Sequence, residues 1–311
     1  MISAPGAVLA YHRVCDIDRD PFGLAVGPDR LAAQLSALSE VADLVPLSSI
    51  VPARRSRRSP NSRRPRVALT FDDGYLDNAH VLPEVLAQSG APATVFLTTS
   101  VLEGGEEFWW DRLEHVLLDG EPQVQMLDVT IEARRLRADV RNPQGRQRAL
   151  KALNRRLRAL APEAIDEAIT ELSQQTGLIP RSCVAHARMT REDVVGLAAN
   201  PLIEIGAHTT SHPVLSTLPS GDQRAEIEQS WTTLTEVTGR APVSFAYPFG
   251  FTGSWDSSTE AIVRDCGFER ACTTVPGAID GRVHRFAIPR IGIGDWSPDE
   301  VVDLVERWLE A

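Results

Sequence analysis

Val67-Ala68-Leu69-Thr70-Phe71 runs straight into two adjacent carboxylates, Asp72 and Asp73, and then into Gly74 and Tyr75. An apolar and β-branched run without polar alternation reads as a strand buried on both faces, the kind found in parallel sheets covered by helices. The Asp pair then falls at the strand's carboxyl end, where open α/β sheets and (β/α) barrels keep their chemistry. Two like charges side by side in a half-buried place repel unless a cation or a proton sits between them. Such a pair means a metal, a general base, or both.

The rest of the chain alternates in the same way. Strands are predicted over 7–12, 93–97, 202–205, 243–247, 271–275 and 286–291. Helices are predicted over 28–40, from Asp77 as N-cap to residue 88 with Gly90 behind it, from Thr190, over 222–239 and near 257–266. A last helix over 298–309 has Ser297 at its N-cap and Pro298 at its first position. This rhythm predicts a parallel sheet, open or closed into a barrel. Residues 106–185 break it: Phe108-Trp109-Trp110-Asp111 is followed by Arg- and Leu-rich segments near 146–160 and 163–175, read as a helical insertion. Residues 53–66 carry seven arginines among Ser, Pro and Asn and read as a solvated loop.

Composition narrows the classes. With 43% apolar and 24% charged residues over 311 positions, the chain suits a soluble globule with a full core. A net charge of −10 argues against nucleic acid as the main partner. No apolar run approaches the roughly 18 residues that span a bilayer. The first ten residues lack the basic segment of a signal peptide, so a cytoplasmic address is expected. Cys15, Cys183, Cys266 and Cys272 show no metal or disulfide spacing and are expected to be buried reduced thiols.

A second stretch, Ile205-Gly206-Ala207-His208-Thr209-Thr210-Ser211-His212-Pro213, also follows a predicted strand. Histidines four apart share one face of a helical turn and can reach one metal. With a carboxylate from the other strand end they make a three-ligand site open to water. Lewis-acid hydrolysis uses such a triad, and so does non-haem Fe(II) oxygenation. The oxygenase triad sits on a β-sandwich with its carboxylate near the first His, so hydrolysis fits this chain better. The other histidines, His80, His115, His186 and His284, have no partner at ligand spacing and read as surface or capping residues.

Thr70-Phe71-Asp72-Asp73-Gly74-Tyr75, His208-Thr209-Thr210-Ser211-His212-Pro213 and Phe245-Ala246-Tyr247-Pro248-Phe249-Gly250 resemble the motifs of polysaccharide deacetylases of the NodB-homology type, carbohydrate esterase family 4. Tyr11-His12-Arg13-Val14, Phe108-Trp109-Trp110 and Pro289-Arg290-Ile291 extend the likeness over nearly the whole chain, within the subgroup whose third motif reads Phe-Ala-Tyr-Pro-aromatic-Gly. The resemblance implies an α/β fold: a distorted (β/α) barrel, one catalytic domain over 1–311 with a helical insertion at about 106–185. It implies one divalent metal held by Asp73, His208 and His212. Zinc is expected first, with cobalt, nickel or iron also suited to the donors.

Further roles follow from the resemblance. Asp72 matches the general base that deprotonates the attacking water, and His12 the acid that protonates the leaving amine. A backbone N–H in the turn over 247–250 is expected to face the oxyanion. Members often carry an Arg in the third motif that steadies the base; Ala246 stands there, and Arg290 is the candidate substitute. Tyr75, Tyr247, Pro248, Phe249 and Trp110 are expected to line the substrate site, with Trp109 and Trp110 either stacking on sugar or anchoring the insertion. The reaction expected is removal of an N-acetyl group from an amino sugar, in a polymer or a smaller glycoside. Rival expectations are an amide hydrolase acting on a small cytoplasmic intermediate or natural product, and a non-catalytic glycan-binding relative.

Overall fold

The computed structural model describes residues 6–50, 64–103, 107–180, 183–280 and 282–310, so the arginine-rich stretch lies outside the described residues apart from 64–66. In chain order the strands are β1 (Gly6–Tyr11), β2 (Arg13–Val14), β3 (Ala25–Val26), β4 (Asp43–Leu44), β5 (Arg66–Phe71), β6 (Ala93–Leu97), β7 (Met126–Ile131), β8 (Arg134–Asp139), β9 (Ile203–Ala207), β10 (Ser244–Ala246), β11 (Arg270–Cys272) and β12 (Ile291–Gly292). Eight form one sheet in the order β11-β10-β9-β6-β5-β1-β12, with β4 also beside β5, and all its neighbouring strands pair in parallel. The chain divides into two compact units, Met1–Gly104 with Arg188–Ala311, and Gly105–Ala187.

In the larger unit the sheet curls into a distorted (β/α) barrel. Ile288 makes a parallel bridge to Cys272 at one sheet edge, and Ile291 pairs with Leu9 at the other, so one irregular crossing ties the two edges together. The continuous strand predicted over 286–291 is therefore broken. Pro289 has no N–H to give a ladder, and Arg290 turns its N–H to the Val275 carbonyl. Val8, Ala68, Phe96, Ala246, Cys272 and Ile288 fill the barrel interior. Gly206 makes room for one of them: a Cβ there would lie 2.4 Å from the Phe96 ring, its register partner across β6 and β9.

The helix predicted from Asp77 is two helices, Leu76–His80 and Leu82–Ser89. Pro83 cannot donate to the preceding turn, and the chain breaks at Val81. Asp77 does not cap; its carboxylate accepts from the Val14 N–H at 2.9 Å and pairs with Arg13 at 3.3 Å. Gly90 closes the second helix at φ 63°, as glycine without a Cβ does readily. Ser297 and Glu300 cap the last helix, Pro298–Glu310, reciprocally.

The smaller unit is not purely helical. Helices Trp109–Leu118, Pro143–Leu157 and Pro162–Thr176 are joined by the antiparallel hairpin β7–β8. Leu127, Val129 and Ile131 of the hairpin are buried, as are Leu113, Leu117, Leu150, Leu153, Ile169 and Leu172 of the helices. This unit has its own apolar interior. Among the described residues of the chain, no helix is long and apolar enough to cross a membrane.

Candidate active site

Strand period decides which Asp faces inward. Ala68, Thr70 and Asp72 alternate onto the interior face of β5, where Ala68 joins the barrel core and Thr70 and Asp72 meet Arg290. By the same alternation Asp73 would point away. It does not, because Asp73 takes the left-handed conformation, φ 75°, which swings its carboxylate back toward the histidines. Asp is among the residues that tolerate this conformation, and Gly74 at φ 99° completes the turn. The Asp73 carbonyl is tied to the Thr98 N–H at 3.1 Å.

His208 and His212 do not share a helical turn. They sit on a loop behind β9 in which Thr209 (φ 65°) and His212 (φ 63°) are left-handed. The loop is fixed residue by residue. The His208 N–H donates to the Leu97 carbonyl, and the Thr99 and Ser100 N–H groups donate to the carbonyls of Thr209 and Thr210. Thr209 Oγ1 accepts the His212 N–H at 3.0 Å. Glu226, from helix Ser220–Thr238, accepts from the N–H groups of Thr210 and Ser211 and from the Ser211 hydroxyl. Sequence reasoning missed Glu226, since an acidic residue on an amphipathic helix carries no local signal of its target.

The donors converge. Asp73 Oδ1 lies 3.6 Å from His208 Nε2 and 3.3 Å from His212 Nε2, and the three ligand atoms are all within 4.8 Å of one another. A tetrahedral ion with bonds of about 2.0–2.2 Å needs ligand atoms about 3.3–3.6 Å apart. All three residues are buried. The Ala246 carbonyl can only accept, so His208 Nδ1, 2.8 Å away, carries the proton and Nε2 presents a lone pair to Asp73. Burial, with a smaller contribution from His212, pushes His208 down to about 4, so the ring is neutral. A neutral imidazole lone pair facing a carboxylate oxygen in a buried place calls for a cation between them, and the donor set fits one.

Asp72 is held differently. Arg290, with no exposed surface, grips both its oxygens at 2.7 Å, binds Thr70 Oγ1 at 3.0 Å and donates Nε to the Thr273 carbonyl at 2.8 Å. Burial alone would raise the Asp72 pKa, but Arg290, then His208 and His12, outweigh it and keep the carboxyl below its ordinary range. Asp73 is likewise lowered against its burial, mainly by His212. His12 follows β1, half-buried, beside Asp72 by register, since the Asp72 N–H donates to the Tyr11 carbonyl. Its backbone carbonyl accepts from Asn78.

The expected substrate wall is largely elsewhere. Tyr75 is fully buried with the Arg13 guanidinium 4.4 Å over its ring. Tyr247 is fully buried, stacked on Trp255, and donates its hydroxyl to the Phe286 carbonyl at 2.9 Å. Pro248 is buried too. The N–H groups of Tyr247 and Gly250 donate to Cys272 and Pro248 carbonyls, so neither is the expected oxyanion donor. Trp110 is buried in the smaller unit and stacked on Phe108 of the same unit, and is not an exposed sugar platform. Phe249 alone is half-buried, with its ring 4.7 Å from His212.

Two other expectations change. Only Cys272 among the four free thiols is buried. His115 and His186 are neither surface nor capping residues: both are buried, and both converge on Glu107. His80 meets Asp193 at 3.4 Å and His284 meets Glu260 at 3.7 Å.

The family model described as polysaccharide deacetylase matches residues 59–125 and 168–271, more than half of the chain. The chain belongs to the polysaccharide deacetylase family. Solved structures of deacetylases share its fold. The Streptococcus pyogenes deacetylase PplD, solved with acetate, is 18% identical, with 97% of this chain and 98% of that one covered and a TM-score of 0.59. A de-N-acetylase from Aggregatibacter actinomycetemcomitans gives 14% identity, 97% and 99% coverage and 0.62. IcaB from Ammonifex degensii gives 19%, 99% and 98%, and 0.59. No curated protein matches in sequence. The two matched segments leave out residues 126–167, which hold the hairpin and most of the two later helices of the smaller unit. Polysaccharide deacetylases of this family use a divalent metal, and this member has donor groups able to hold one.

Proposed function

We propose that this family member hydrolyses the N-acetyl group of an amino sugar, with Asp73, His208 and His212 holding a divalent cation, zinc foremost. The observation that carries the reading is the meeting of the two motifs: a buried His-His-Asp triad directly beside a carboxylate kept ionised by a bidentate arginine. When bound there, the cation supplies Lewis acidity that acidifies water and draws charge from the amide oxygen.

The chain's own groups supply the rest. Asp72 takes a proton from the attacking water as its oxygen bonds to the amide carbon. Arg290 fixes both carboxylate oxygens, so Asp72 meets the water in one orientation and begins each turnover without a proton. His12, beside Asp72, hands a proton to the amide nitrogen as the C–N bond breaks, which releases acetate and the free amine. Phe249, edge-on to His212, offers an apolar surface to the acetyl methyl.

The test is acetate release from a panel of N-acetylglucosamine oligomers and small N-acetylated glycosides. Acetate with a matching free amine is expected, and the rank order across the panel reads the substrate's length. No release from any N-acetylated amino sugar contradicts the reading.

A further inference from the structure

Outside the barrel, the smaller unit gathers a second set of metal donors. Glu107 lies just ahead of helix Trp109–Leu118, His115 in that helix's last turn, and His186 at the end of the short turn Val184–His186. Glu107 Oε2 is 2.8 Å from His115 Nε2 and 3.6 Å from His186 Nδ1, and the two nitrogens are 3.3 Å apart. These separations bracket the edge of a tetrahedron with bonds of about 2.0–2.2 Å. His115 and His186 are buried and the Glu107 side chain is only 10% exposed.

The outer contacts are also those of a metal site. Asp119, just past the end of the same helix, lies 2.5 Å from the other nitrogen of His115, and the Cys183 N–H donates to the other oxygen of Glu107. A carboxylate on the far nitrogen of a ligating histidine fixes its tautomer and raises its basicity. Hydrogen bonding alone serves the cluster less well. A single proton on His115 Nε2 must be divided between Glu107 Oε2, 2.8 Å away, and His186 Nδ1, 3.3 Å away. A cation at the centre takes a lone pair from all three atoms at once.

We propose that Glu107, His115 and His186 form a second divalent-metal site, of the zinc class, that fastens the beginning of the smaller unit to its end. Glu107 and His186 stand near the unit's first and last residues, Gly105 and Ala187, so the ion closes a loop of nearly the whole unit. Closing a long loop through a metal stabilises chiefly by restricting the unfolded chain. The site does not depend on the deacetylase reading.

The rival is a proton bridge, since Glu107 and then Asp119 push His115 up to about 9 against its burial. The experiment uses the full chain, stripped with chelator, reloaded with zinc, and assayed for bound metal per chain. Two zinc ions are expected, falling to one in His186→Asn with acetate release unchanged, and to one in the His208→Ala/His212→Ala variant. Cobalt(II) loaded into that double variant should show the intense visible bands of a tetrahedral ion. A wild-type chain that holds no zinc, or a single zinc that His186→Asn keeps and the His208→Ala/His212→Ala variant loses, overturns the site. So does a His186→Asn variant that still holds two, a result that needs no folded double variant.

Discussion

Among the described residues, two triads, buried but for the partly exposed Glu107, use the same donors, one carboxylate oxygen and two imidazole nitrogens, at nearly the same spacing. At the barrel, the donors come from loops behind β5 and β9, and three residues there, Asp73, Thr209 and His212, adopt the left-handed conformation. In the smaller unit, His115 rides on a helix, and the neighbouring carboxylate, Asp119, is already engaged with that histidine. The barrel triad instead has Asp72 beside it, bound to Arg290 and not to a ligand. Donor geometry fits both places for a cation. A second, independently held carboxylate is what equips one of them for proton transfer.

That difference is open to breaking, beginning with the residue that defines it. Asp72→Asn should lower kcat by about 10²–10⁴-fold while bound metal per chain stays as in wild type; a variant with near-normal kcat removes the distinction between the triads. Arg290→Met strands a buried carboxylate, so urea unfolding should show a loss of about 3–5 kcal/mol together with a sharp fall in kcat. An unchanged midpoint would mean that Asp72 finds another partner. Glu226→Ala frees the His208–His212 loop and should weaken zinc at the barrel by about 10–100-fold, with the smaller unit's ion unaffected in competition titrations. Asp119→Asn is the mirror experiment and the mildest, since an amide oxygen still accepts from His115. About tenfold weaker metal in the smaller unit, with kcat intact, keeps the two sites independent; a matching drop in kcat would join them.

Much of this was legible before any coordinates. Runs such as Ala93–Leu97 are buried at every position and match the predicted strand residue for residue. Asp72, Asp73, His208, His212, His12 and Arg290 were named from their motifs, whereas Glu226, which holds the His208–His212 loop, was not. What the sequence did not carry is conformation without a side-chain signature. The hairpin β7–β8 was missed although Leu127, Val129 and Ile131 alternate. Its two-residue turn is Glu132-Ala133, at φ 48° and 59°, where Asn-Gly would have announced it. The left-handed Thr209 and His212 likewise turned an expected helical pair into a loop. His115 and His186 stand 71 positions apart, so no local spacing could pair them. Tyr75 and Tyr247 flank their motifs in the chain, but strand alternation and packing carry both rings into the core.

The central claim is that deacetylation depends on a cation held by Asp73, His208 and His212 next to Asp72. Acetate release should be measured on one N-acetylglucosamine oligomer with untreated, chelator-stripped and zinc-reloaded protein, in parallel with His212→Ala. The account predicts activity in the first, loss in the second, recovery in the third, and none in the variant at any zinc concentration that leaves it folded. Full turnover by the stripped protein would contradict it.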